Sequence, residues 1–173
     1  LGGDITSVST TALASYQVKA FREEVTLRAE IEGGALVTSG GDSLLINRFT
    51  GNGKIRGFEP NGIGPRDLAA VNQDAVGGNY FAVARLEAEF PLGLPEEYGL
   101  TGGLFADIGS VWGLDNTAGT GTIDDKMHLR SSVGFSLFWT TPIGPLRFNF
   151  SRALDKQSYD KTQNFDLTIS TKF

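Results

Sequence analysis

Apolar residues recur at every second position along most of the chain, and polar residues fill the places between them. Residues 24–37 show it well: Val25, Leu27, Ala29, Ile31, Ala35 and Val37 share one parity, against Glu24, Thr26, Arg28, Glu30 and Glu32. Such a period of two marks a strand with one apolar and one polar face. The alternation is looser over 6–18, where Val8, Ala12, Ala14, Tyr16 and Val18 oppose serines and threonines. It returns over 78–90, 98–112, 127–141 and 146–154, and again in the last residues, where Phe165, Leu167, Ile169 and Phe173 oppose Asp166, Thr168, Ser170 and Lys172. No segment holds a helical period. The pattern predicts an all-β chain, an antiparallel meander of about seven strands.

The connections sort the architecture further. Those around Lys19–Arg22, Pro91–Pro95 and Thr141–Pro145 are short, whereas 38–77, 113–126 and 155–162 are long or polar. Alternating short and long connections are what a transmembrane β-barrel shows, with short periplasmic turns and longer outer loops. Tyr16, Tyr80, Phe90, Tyr98, Trp112, Trp139 and Phe173 suit interfacial girdles. The polar faces carry charges that a water-filled lumen accepts and a packed core does not. The rival is a soluble β-sandwich, which would have to leave Leu, Phe and Ile on one face of every strand. Because an open sheet in lipid leaves unsatisfied edges, and bacterial barrels close with an even number of strands, residues 1–173 read as the C-terminal part of a larger barrel domain.

Composition narrows the chemistry. Without cysteine, and with His128 as the single histidine, the chain has no thiolate or histidine-based metal site. A net charge of −5 argues against nucleic acid as a partner. A mean hydropathy of −0.10 suits a barrel in which only alternate residues meet lipid.

The long connection contains Lys54-Ile-Arg-Gly-Phe-Glu-Pro-Asn-Gly-Ile-Gly-Pro-Arg-Asp67, which cannot be regular structure. Its glycines free the backbone, while Pro60 and Pro65 fix φ and remove two donors. Arg56 sits among Ile55, Gly57 and Phe58, so the loop reads as one that packs into something.

At this point the motifs converge. Ile55-Arg-Gly-Phe58, followed by Asn61-Gly-Ile-Gly-Pro65, resembles the signature loop of the BamA family of outer-membrane-protein assembly factors. Asp74–Asn79, Phe105–Trp112 and Ser136–Leu146 resemble that family's later strands, and Phe165–Phe173 is similar to the C-terminal β-signal of outer-membrane proteins. The resemblance implies a larger barrel of about sixteen strands, behind periplasmic POTRA domains that this sequence does not include. It implies location in the outer membrane and a function without nucleotide or cofactor, the folding and insertion of other barrels by edge-strand templating at a lateral seam. Nascent outer-membrane proteins, the lipid bilayer and accessory lipoproteins are the partners it implies. One departure stands out: Ser170 occupies the place of a glycine that lets the last strand kink in several relatives. A polypeptide-secretion transporter of the same superfamily and a passive porin-like barrel are the alternatives.

The resemblance also names a site. Parity puts Glu87 and Asp107 on the lumen face, and they match the family's acidic partners for the loop arginine. A planar five-donor guanidinium between two carboxylates makes directional, charge-assisted bonds that Lys would not reproduce. Gly57 would allow close backbone approach and Phe58 would fill an apolar niche, giving a latch of Arg56, Gly57, Phe58, Glu87 and Asp107. Read as an enzyme, Glu87 and Asp107 would be a paired acid and base. No Ser/His partner or phosphate-cradling loop accompanies them, so the sequence reads as no enzyme.

Overall fold

The computed structural model describes residues 5–118, 122–142 and 144–169, which form one seven-stranded antiparallel sheet and no α-helix. The strands are β1 (Thr6–Ala20), β2 (Val25–Ser39), β3 (Arg66–Asp67), β4 (Tyr80–Pro91), β5 (Leu100–Trp112), β6 (Ile123–Asp124), β7 (Arg130–Thr141), β8 (Gly144–Asp155) and β9 (Phe165–Ile169). The sheet order β1-β2-β4-β5-β7-β8-β9 is the meander that the alternation predicts. Short strands β3 and β6 pair with each other outside it, joining the long connection to the 113–126 loop. Their two residues each are too few to leave a periodic trace in the sequence.

The six longest strands run 12 to 15 residues, and a tilted strand needs about 9–11 to cross a bilayer. Pairing register keeps the two faces apart. One row across the sheet reads Arg28, Glu87, Phe105, Gly134, Ser151, and the row beside it Ala29, Leu86, Ala106, Val133. The apolar parity is the exposed one: Ile31, Leu86 and Leu104 lie more than half open. The other parity is covered by the long connection. Ile55, Phe58 and Ile63 from that loop pack on Phe81, Val83 and Val111, with Phe49 and Ala153 beside them. The core therefore lies between one sheet and its own loop. A sandwich would have placed it between two sheets, so that alternative falls.

The sheet must also curl. Register carries Glu87 through Phe105 and Gly134 to Ser151, three strands away and four residues past Arg147. On a flat sheet that offset is about 20 Å, more than two extended side chains cover. Yet Arg147 and Glu87 form an ion pair, so β4 and β8 face each other across a concave inner side. The sheet is open: β1 and β9 each have one hydrogen-bonded neighbour among the described residues. Phe173 and Ser170, and with them the end of the β-signal and the kink position, lie outside the described residues.

Candidate functional site

Arg56 ties the loop motif to two carboxylates of the inner wall. Arg56 donates from Nε and its backbone N–H to Asp107 Oδ2 at 2.8 and 3.0 Å, from Nη2 to Asp107 Oδ1 at 2.6 Å, and from Nη1 to Glu87 Oε2 at 2.5 Å. The guanidinium also lies 3.7 Å from the centre of the Phe105 ring. β4 and β5 bring the two carboxylates together because Glu87 pairs with Phe105, two residues from Asp107 on the same face. Burial makes the arrangement consequential: the Asp107 side chain is fully covered and that of Glu87 is 6% exposed. A buried carboxylate is costly without a cation, and here each has one.

The residues around Arg56 explain why the loop can reach. Gly57 has φ +90°, and a Cβ there would meet Ser132 Cβ at 3.3 Å and Ser151 Oγ at 3.4 Å. Gly64, at φ +110°, lies as close to Val111. Only glycine combines that conformation with that approach. Phe58 is buried in the loop core. The loop then pairs with the segment leading into β9. Gln163 N–H donates to Gly57 O at 3.0 Å, Glu59 N–H to Lys161 O at 3.0 Å, and Lys161 N–H to Gly62 O at 3.0 Å.

Several inner-face charges have contacts that parity alone does not reveal. Glu87 accepts from Arg28 of β2 at 3.0 Å and from Arg147 of β8, so three guanidinium groups share one carboxylate. Lys54 pairs with Glu32 at 2.7 Å and lies 3.7 Å above the Phe81 ring, while Arg85 bridges Glu30 and Glu32. Parity placed Arg28 and Arg147 on the inner face. It could not say which residue each meets, because that depends on the curl of the sheet.

A second cluster closes the end of the sheet at the long loops. The 155–162 connection reads as a solvated charged loop, but the side chain of Asp160 is fully covered. It accepts from Arg130 Nε and Nη2 at 2.9 and 3.1 Å and from Gln157 N–H at 2.7 Å. His128 Nε2 and Tyr159 Oη both lie 3.1 Å from Asp124. Burial opposes the charge on Asp124, but bonds from His128, Lys126 N–H and Tyr159 outweigh it and hold the carboxyl below its usual range. Burial first, and then Asp124, push the Tyr159 hydroxyl up to about 12. Gly77 and Gly78 lie at the entry to β4, where Gly78 forms a bridge with Phe49. In β9, Phe165, Leu167 and Ile169 all lie on the exposed apolar face, and Phe165 packs against Phe150 with ring centres 5.2 Å apart.

With this geometry in place, the sequence and the fold can be set beside known proteins. The sequence profile of the Omp85 superfamily domain matches residues 1–173. An outer membrane protein assembly factor BamA from Neorickettsia risticii is 34% identical over 174 residues, covering all of this chain and 23% of that protein. The BamA of Neisseria meningitidis serogroup B is 29% identical over 71% of this chain and 18% of its own length. The crystal structure of Haemophilus ducreyi BamA lacking POTRA domains 1–3 superposes with a TM-score of 0.72 at 23% identity, over 95% of this chain and 34% of that one. The chain thus spans about a quarter of the length of the first of these relatives.

Proposed function

The chain belongs to the Omp85 superfamily, an outer-membrane family, and on that premise we propose that it is the C-terminal wall of a barrel that folds and inserts other β-barrel proteins. The observation that carries this reading is the clamped loop. A passive pore has no need of a loop that carries an arginine held by two buried carboxylates. A machine that must open at one seam while the rest of its wall stays rigid does need one. In this reading further strands precede β1 and close the barrel against β9, and POTRA domains precede those strands.

The work is templating. A strand edge with free N–H and C=O groups pairs with an incoming strand, as in β-augmentation. At a weak seam the inner ladder of β9 on β8 stays formed, while its other edge is offered to the β-signal of a nascent outer-membrane protein. The stability of the finished client barrel drives release. Accessory lipoproteins would act from the periplasmic side, where the short connections after β4 and β7 lie in this reading.

The test is insertion itself. Full-length protein reconstituted in liposomes should speed the folding of an urea-denatured client barrel, read as heat-modifiable product on gels, relative to empty liposomes. Arg56→Ala should slow it. A full-length protein that inserts no faster than empty liposomes would overturn the proposal.

A further inference from the structure

Arg147 is not accounted for by the latch, yet it is bound on both sides. One end of its guanidinium pairs with Glu87, on the oxygen that Arg56 also uses. Its Nε donates to Asn149 Oδ1 at 2.8 Å, and Ser136 Oγ donates to that same oxygen at 2.7 Å. Two donors on one amide oxygen fix which way the Asn149 side chain points. Its Nδ2 is thereby aimed at Asp166 of β9, which accepts at 2.9 Å. Asn149 and Ser136 are almost wholly buried, and Arg147 is flanked by the Phe138 ring at 4.9 Å. A cavity of about 340 Å³ runs along this path between Arg28, Arg56, Glu87, Arg147 and Asp166.

From this chain of contacts we propose that Arg147 is a positioning residue of the seam, which ties the lumen side of the terminal strand β9 to the latch carboxylate through Asn149 and Asp166. Among the described residues β9 pairs in the sheet with β8 alone, over Leu146↔Ile169 to Phe150↔Phe165. Asn149 stands opposite Asp166 and Arg147 opposite Thr168, so the side-chain thread runs along the same ladder. It restrains the register and facing of β9 without using the strand's other edge. That edge stays free for a partner strand while the strand itself stays in place. The use of that edge rests on the function proposed above; the thread does not.

Lysine separates the thread from simple charge balance. Arg147→Lys keeps a cation for Glu87 but has no Nε–H to hold Asn149 in place. The experiment is hydrogen exchange of residues 165–169 in the full-length protein in lipid nanodiscs, with no client present. Arg147→Gln and Asp166→Ala should each raise exchange there about tenfold, and the double variant no further, because both cut one thread. Arg147→Lys should melt close to wild type and still show the fast exchange. Additive effects of the two substitutions, or full restoration of slow exchange by lysine, would overturn the proposal. Client insertion is measured separately, so an inactive protein with an intact thread would count against the proposed function and not against the thread.

Discussion

The clamped loop and the sheet edges of this chain are built on opposite terms. Ile55, Phe58 and Ile63 are buried against the wall, and Arg56 spends its donors on two carboxylates. At the edges, β1 is exposed on both faces along nearly its whole length, and β9 is mostly exposed too. Both belong to one sheet, the loop covering its inner face and the edge strands bounding it. What differs is the number of independent partners that fix each residue. The centre of the wall is over-determined, and the rim depends on whatever pairs with it.

The largest effect should come from denying the rim its partner. Residues 1–173 expressed alone should not give a monomeric, heat-modifiable barrel, because each open edge leaves backbone groups unsatisfied in lipid. A protease-resistant monomer of this segment in detergent would break the comparison outright, since the edges would then satisfy each other.

The next effect comes from the centre. Arg56→Ala removes a cation that two buried carboxylates share, and breaking such a pair costs about 3–5 kcal/mol. The structure says which carboxylate suffers. Glu87 keeps Arg28 and Arg147, whereas every side-chain donor to Asp107 among the described residues is Arg56. Asp107→Asn should therefore rescue the Arg56→Ala barrel more than Glu87→Gln does, in a double-mutant cycle on thermal unfolding. Arg56→Lys should fall between wild type and alanine. Equal rescue by the two carboxylate substitutions would mean that the three-arginine cluster does not buffer Glu87.

Gly57→Ala tests the backbone beneath the same arginine. A non-glycine residue in so sparsely populated a conformation costs about 1–3 kcal/mol, and the added Cβ presses on Ser132 and Ser151. The variant should keep the sheet and melt lower, with the loop more open to protease near Lys54. An unchanged melting temperature would mean that the loop backbone has room to relax.

How much of this could be read from the sequence depends on distance. The strands and their two faces follow from period-two alternation, since parity is local. Arg56, Glu87 and Asp107 were legible because a motif resembled a family and parity put both acids on one face. Parity gives Arg147 and Arg28 their face but no partner, because contact across the lumen is set by the curl of the whole sheet. Asp160 read as solvated, and only the fold shows Arg130 reaching it. The β3–β6 pair is too short to have a period at all.

The smallest effect belongs to the cluster of Asp124, His128 and Tyr159 that caps the long-loop end of the sheet, which sits between the two extremes in how firmly it is held. Tyr159 donates to Asp124, and its hydroxyl is pushed up to about 12 from an ordinary value near 10. The raised value fixes the sign. Below the unfolded value of about 10 both states are protonated and the contribution to stability is whole. Between there and about 12 the unfolded chain gives up its proton while the folded one keeps it, so stability drains away as pH rises. Tyr159 is partly exposed, and solvent screening keeps the loss small. An ultraviolet titration of the full-length protein should show a late-titrating component that Tyr159→Phe removes. Near pH 11, protease nicking of the 156–164 connection should rise in wild type. In Tyr159→Phe the nicking should already be raised at neutral pH and change little on going alkaline, because that variant has no proton to lose there. If wild type and Tyr159→Phe respond alike to alkali, the hydrogen bond to Asp124 does not hold the cap, and Arg130 with Asp160 holds it alone.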